Sequence, residues 1–358
     1  MRRVRTKRPG GRRWVRRLFI AFAVFLLLAG MAPVGLRALL AKQQALESST
    51  AVHEAGYVQI GGVPQWIEIR GWDRTNPVVL WLHGGPGAPV LPVSYSSFLP
   101  WEKTFTLVHW HQRGAGLTYA AAPPNPPPLT IDRMVQDGIA VAEHLRHRLH
   151  KDTIILIGHS WGSVIGTRMV QRRPDLFAAY VGTGQFNSLD DDGRDLFAAA
   201  MERAKASRDT KAVESLTKVS SLPLTDIHRM DVVRTWGKTE NISDNLLLAQ
   251  IAPFISPGYP LSKAPRLREA FESSRRALFD EELQVRVERD VPALATPAFL
   301  FQGKDDWQVS TPAAVRYFER LRAPRKDIVL FDGGHFVYVF HSDAFLNALT
   351  TKVRPLAH

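Results

Sequence analysis

Apolar and polar positions follow two rhythms along this chain. From Tyr57 to Gly71 they alternate around Gly61-Gly62 (YVQIGGVPQWIEIRG), the period of two strands joined by a tight turn. The next runs are continuous: PVVLWLHGGPG, FTLVHWHQRGAG, DTIILIGHSWG and FAAYVGTGQF each lead into glycines. Unbroken apolar runs of this length suit strands buried on both faces of a parallel sheet. Helical spacing fills the intervals. Ile131 to His150 carries Met134, Ile139, Val141 and Leu145 among its apolar positions, and SVIGTRMVQRRP follows the third run. Strands alternating with helices predict an α/β fold with a mostly parallel, doubly wound sheet.

The rhythm stops at Asn187. As far as Asp290 the chain is charged and helix-prone (RDLFAAAMERAKAS, LREAFESSRRALFDEELQV), which predicts an inserted helical cap. TPAFLFQGKDD and KDIVLFDGGHF then resume the strand pattern, and SDAFLNALTTKV closes with a helix. The expected division is a core over 57–186 and 291–358, a cap over 187–290 and a linker over 41–56.

Charge changes the picture at the N-terminus. The net charge of +12 suggests nucleic acid, but nine basic and no acidic residues precede Leu18. The remainder carries only about +3, so no basic nucleic-acid footprint is expected. Leu18 to Leu36 holds no charge over 19 residues, about the length that crosses roughly 30 Å of hydrocarbon. Residues 1–17 then read as a basic cytoplasmic end and 18–40 as an N-terminal transmembrane helix. This single-pass anchor leaves the catalytic domain extracytoplasmic. The alternative is secretion after signal cleavage, near Gly30-Met31-Ala32, although Pro33 is a poor neighbour for a cut. The segment RRLFI also loosely resembles a twin-arginine signal. The absence of cysteine excludes disulfides, thiolate metal sites and a cysteine nucleophile.

The chemistry centres on Gly158-His159-Ser160-Trp161-Gly162, a G-x-S-x-G pattern between an expected strand and an expected helix. A serine hydroxyl is a weak nucleophile. It needs a base, a group that orients the base, and donors for the oxyanion. The bland reading of Ser160 is a helix N-cap. The order of the remaining candidates favours catalysis: an aspartate after one later strand, Asp306 or Asp305 in FQGKDDW, and His335 on the glycine loop after the next. Asp332 shares the loop of His335 and ranks third. One oxyanion donor should be the amide of Trp161, the other an amide of HGGPG at His83 to Gly87. No Lys-Ser/Thr follows that loop, so it is not a phosphate-binding P-loop. His109 with His111, and His144 with His147 and His150, have no matching carboxylates and read as core or solvated histidines rather than metal ligands.

In order and spacing, HGGPG, HQRGAG, GHSWGS, GKDD and GGHF resemble the α/β-hydrolase fold family, and within it the proline iminopeptidase branch of serine aminopeptidases. The resemblance runs from about Tyr57 to the C-terminus. It implies Ser160 as nucleophile, Asp306 and His335 as its partners, and the amides of Gly85 and Trp161 as oxyanion donors. It also implies an acyl-enzyme path that needs no metal or organic cofactor. Epoxide hydrolases and dehalogenases of this fold carry aspartate where Ser160 stands. One departure touches specificity: His111 replaces the aspartate of the family's D-Q-R-G-x-G. Such aminopeptidases hold the substrate amine with acidic residues, partly from the cap, where Glu202, Glu214, Glu281 and Glu282 are available. The expected substrate is a small molecule or short peptide, cleaved at an amide. The alternatives are a carboxylesterase or lipase-like enzyme acting on a small acyl ester and, more remotely, a hydrolase-like receptor without turnover.

Overall fold

A computed structural model describes residues 34–89, 97–223, 225–237 and 252–357. The expected membrane span therefore lies outside the described residues up to position 33. From 34 to 43 the chain is helical, and among the described residues no helix is long and apolar enough to cross a membrane.

The alternating segment forms the hairpin β1 (Val52–Ile60) and β2 (Val63–Gly71). Gly61 and Gly62 take φ of +56° and +80°, as a two-residue turn of the primed type requires. β1 begins five residues ahead of the expected hairpin. His53 and Glu54 hide its alternation, and both are paired across the surface, His53 with Glu68 and Glu54 with Arg148. The continuous runs become β3 (Val78–Leu82), β4 (Thr106–Trp110), β5 (Ile154–His159) and β6 (Phe177–Thr183). The helices α1 (Gly116–Ala121), α2 (Ile131–Leu149) and α3 (Trp161–Arg172) lie between them. Thr130 starts α2 by accepting from the amide of Arg133.

Helices then take over, as the charged composition after Asn187 predicts. They are α4 (Leu189–Ala206), α5 (Thr210–Val219), α6 (Ile227–Trp236), α7 (Arg266–Gln284) and α8 (Val287–Asp290). Side chains of Ser188, Asp209 and Asp226 cap α4, α5 and α6. Leu196, Ala200, Ala212, Leu216 and Val233 give these helices an apolar cluster of their own. The chain returns to the sheet through β7 (Ala298–Gly303), α9 (Thr311–Arg320) and β8 (Lys326–Phe331), and ends with α10 (Val337–Phe340) and α11 (Ser342–Ala348).

The eight strands form one sheet in the order β1-β2-β4-β3-β5-β6-β7-β8. β1 and β2 pair antiparallel, β2 meets β4 antiparallel, and every other pairing is parallel. Alternate residues of the buried strands serve opposite faces. Val78, Leu80 and Leu82 pack on the side of α2 and α3; Val79 and Trp81 pack on the other side, with Trp101 and Phe345. This explains the unbroken apolar runs. The carboxyl ends of β3, β5, β7 and β8 share one rim, and their following loops carry the sequence-predicted residues.

A buried ion pair ties the hairpin to that rim. Arg113, in the loop after β4, donates to Asp137 of α2 through Nε (2.7 Å) and Nη2 (3.0 Å). The Asp137 carboxylate also accepts from Gln65 of β2, whose Oε1 takes the Trp110 indole N–H. Asp137→Ala strands a buried guanidinium, so a loss of roughly 3–5 kcal/mol is expected. Urea unfolding of this variant should show it, and the double variant R113M/D137L should recover part of it. A loss under about 1 kcal/mol, the worth of an exposed pair, would contradict the role given to this bond.

Candidate active site

Ser160 stands alone between the last residue of β5 and the first of α3. Its φ of 54° and ψ of −122° belong to a region that costs an L-residue on the order of 1–3 kcal/mol. Its backbone groups are nevertheless satisfied. The amide donates to the Thr183 carbonyl at 3.0 Å, and the carbonyl accepts from the Ser163 amide at 2.8 Å and Oγ at 2.6 Å. Glycines permit the turn. A Cβ on Gly158 would lie 2.8 Å from the Gly162 carbonyl oxygen, and one on Gly162 would run into the carbonyl of Leu82. Ser160 occupies the N-cap position without a side-chain cap bond. Its hydroxyl is thus not engaged in capping, which removes the bland reading. Ser160 borders a cavity of about 170 Å³ together with His335, Gly85 and Trp161.

His335 is held from behind. Its Nδ1 lies 2.8 Å from Asp306 Oδ2. That carboxylate also accepts from Gln302 Nε2 (3.0 Å) and from the amides of Gln308 (2.8 Å) and Val309 (3.1 Å). A carboxylate surrounded by donors is an acceptor toward the imidazole. Nδ1 therefore carries the proton and Nε2 is left as the basic nitrogen. Of the three candidate aspartates, Asp306 reaches His335. Asp305 is exposed, and Asp332 is 86% exposed and paired with Lys304 at 2.6 Å. Gly184, at φ +52°, passes so close that a Cβ there would sit 2.7 Å from the imidazole Cε1.

Both expected amides border the same cavity. Trp161 opens α3, where backbone N–H groups have no intrahelical partner. Gly85 has φ +125°, and a side chain there would press on the amides of Gly87 and Ala88. Its loop is braced by Gln112, which donates to the His83 carbonyl (3.0 Å) and, through its amide, to His83 Nε2 (3.2 Å). His83 Nε2 is thus an acceptor, and Nδ1 donates to the Gly84 carbonyl at 2.9 Å. Ser160, His335, Gly85 and Trp161 thus line one cavity, with Asp306 behind the imidazole.

The other histidines serve packing. His109 is buried beside Phe98. His111 is buried too; its Nδ1 accepts from the Leu117 amide at 3.0 Å and its ring lies along Tyr259. His159 donates from Nε2 to the His335 carbonyl at 3.2 Å, tying the elbow to the loop of the base. Burial pushes His111 and His159 well below the ordinary imidazole value. His144, His147 and His150 line a separate surface cleft. Among the described residues no group of three or more ligand-type side chains is placed to hold a metal.

Of the four cap glutamates, Glu282 borders the cavity. Glu281 instead caps the start of α2 through the Ile131 amide, Glu214 pairs with Lys218, and Glu202 is exposed. The cavity also takes Asp192 of α4, Arg234 of α6 and Arg275 of α7, which the sequence did not single out. Gln302 was passed over too, though it left a signal: a polar residue inside the apolar run AFLFQG, which the fold buries completely. The cap residues gave no comparable signal, because charged residues are ordinary on helix surfaces.

Residues 77–342 match the sequence profile described as the alpha/beta hydrolase fold. The probable aminopeptidase YbaC of Bacillus subtilis is 28% identical over 304 residues, 83% of this chain and 95% of that protein. A proline iminopeptidase of Neisseria gonorrhoeae is 29% identical over 132 residues, 37% of this chain and 40% of its own length. Among solved structures, a proline iminopeptidase-related protein of Thermus thermophilus superposes with a TM-score of 0.58 at 21% identity, covering 85% of this chain and 99% of its own. An esterase of Exiguobacterium antarcticum gives 0.53 at 16% identity, covering 84% and 100%. At these identities the two structures share the fold.

Burial pushes His83 down to about 4 from its ordinary value of 6.5. Between those pH values the unfolded chain binds the proton and the folded one does not, so stability falls as pH drops through this window. The His83 share is roughly 3 kcal/mol at about 1.4 kcal/mol per pH unit. Urea midpoints at pH 7.5 and 4.5 should separate less in His83→Gln than in the parent. His109, also pushed to about 4, leaves a remaining dependence in both. Identical separations would contradict the buried neutral state of His83.

Proposed function

The chain belongs to the α/β-hydrolase fold family, and from that premise we propose that it is a serine hydrolase working through an acyl-enzyme. The observation that carries this reading is the assembly around one cavity of a strained, uncapped Ser160 and of His335 backed by Asp306. In this mechanism His335 Nε2 takes the proton of Ser160 Oγ as it attacks the carbonyl carbon. The amides of Gly85 and Trp161 hold the resulting oxyanion. The imidazolium, stabilised by Asp306, returns the proton to the leaving amine or alcohol. Water then repeats the sequence and frees the acid.

The substrate reading is an aminopeptidase that releases a small N-terminal residue from short peptides. Two observations support it. The relative that matches along most of its length is named a probable aminopeptidase. Glu282 offers a carboxylate in the cavity for the substrate's amine. A cavity of about 170 Å³ has room for a group of benzene or prolyl size. Membrane tethering by the uncharged stretch that begins at Leu18, ahead of the docked residues 34–40 of the expected 18–40 span, with the catalytic domain extracytoplasmic, belongs to the same proposal. It is supported by the uncharged stretch and the nine preceding basic residues. The helical residues 34–43 dock against the cap side through Arg37, which donates to the carbonyls of Phe254, Pro257 and Tyr259.

Ser160→Ala should abolish hydrolysis of prolyl and alanyl arylamides while leaving the free energy of urea unfolding within about 1 kcal/mol of the parent. Asp306→Asn should lower kcat by up to about 10⁴-fold, because an amide at that position favours the wrong imidazole tautomer. Asp305→Asn should retain activity within a few-fold. Residual turnover by Ser160→Ala, or a larger loss at Asp305 than at Asp306, would overturn the assignment.

A further inference from the structure

The cavity beside Ser160 is lined by more charge than the acyl-transfer chemistry uses. Arg229 and Arg234 enter it from α6, Arg275 and Glu282 from α7, and Asp192 from α4. Arg275 and Glu282 are seven residues apart, two turns along one helix face. Arg229 is already engaged: it donates to the carbonyls of Ser220 and Leu222 and lies 4.4 Å over the Phe197 ring. Its Nε is nevertheless buried with no acceptor among the described residues. Arg234 donates through Nη2 to the Gln308 carbonyl at 3.2 Å, and its Nε is likewise buried with no acceptor among the described residues. Arg275 is exposed at the cavity's edge, with its guanidinium 5.7 Å from the Phe271 ring.

Asp192 adds a further open position. Its Oδ1 accepts from the Ser310 amide at 2.9 Å, while Oδ2 is buried and unpartnered. Burial pushes this carboxyl well above the usual carboxylate range, which favours the acid form with a hydroxyl to donate. The buried open atoms at Arg234 and Asp192 are then donors, and Arg275 adds an exposed guanidinium at the edge of the cavity. Three guanidinium groups against two carboxyls leave the cavity net positive even with both carboxyls ionised. Buried donors without acceptors are costly, and native proteins keep them where something else completes them.

We infer that Arg234 and Arg275 form a carboxylate-binding subsite of the Ser160 cavity, so that the substrate is a small acyl compound with a free carboxylate, as a dipeptide is. The planar guanidinium fork matches a carboxylate edge to edge. Glu282 faces the amine of the same zwitterion. This deepens the aminopeptidase reading and rests on it for the position of the reacting bond. The cavity volume keeps both charged ends close to that bond.

The test uses the full chain and substrates matched in size. Pro-Ala and Pro-Ala-amide, like Ala-Ala and Ala-Ala-amide, set a free carboxylate against a neutral carboxamide on the leaving side of the same bond. The carboxylate member of each pair should show a kcat/KM higher by about tenfold or more, carried by KM, as a charge-assisted bond predicts. In Arg234→Gln and in Arg275→Gln the ratio within each pair should shrink several-fold; a ratio cancels differences in the amount of folded enzyme. A wild-type ratio near one, or a ratio unmoved in both variants, overturns the subsite. A readout independent of turnover separates the two readings. Calorimetric titration should show butyrate binding about tenfold more tightly than butyramide. Equal affinities overturn the subsite even if the peptides are hydrolysed. Selective binding of butyrate without any hydrolysis upholds the subsite and overturns the acyl-enzyme reading instead.

Discussion

The backbone turn at Ser160 is the constraint on which the site depends. A non-glycine residue at positive φ persists only where its surroundings over-determine it. Here β5 and α3 meet closely enough that Gly158 and Gly162 have no room for a Cβ. The serine's amide and carbonyl are both bonded, one to the last residue of β6 and the other to the first turn of α3. Packing energy from the two faces of the sheet holds the turn, and the turn leaves the hydroxyl free of any capping bond. Relaxing it would let Ser160 become an ordinary N-cap and remove the one feature that distinguishes it from Ser188 or Ser310.

The partners are placed by the same economy of glycine and buried polar bonds. His335 can stand over the rim because Gly184 yields space, and it keeps one tautomer because Asp306 is saturated with donors. Gln302 links these parts: it donates to Asp306 and accepts from the amide of Gln185, just past the Gly184 turn. The loop carrying Gly85 is fixed by His83 and Gln112, and the loop carrying Gln112 is fixed in turn by Arg113 and Asp137. Substrate-facing geometry is thus tied to the hairpin and α2, far along the chain from Ser160.

Much of this was legible in the sequence because glycines and apolar runs carry positional meaning. The four continuous runs read correctly as strands buried on both faces, and the glycines after them marked the rim. Asp306 and Asp305 were not separable by spacing: adjacent residues at a strand end point in different directions, and the bond to His335 is what tells them apart. β1 began earlier than its pattern suggested because His53 and Glu54 are adjacent polar residues, although their exposure alternates along the strand. His111 stood out by its departure from the family motif, and it lies in packing under the loop, bonded to the Leu117 amide. The cap residues that give the cavity its charge were illegible, since Asp192, Arg234 and Arg275 look like any solvated helix residues until the fold gathers them around it.

The central claim is that Ser160 becomes acylated during turnover. Rapid acid quenching of the chain with a slowly deacylated p-nitrophenyl ester, followed by mass spectrometry of the peptide spanning Ser160, tests it directly. The account predicts an adduct of the acyl mass on Ser160, formed in a burst that matches the p-nitrophenol released. Turnover with no adduct on that peptide, or an adduct on another residue, would contradict it.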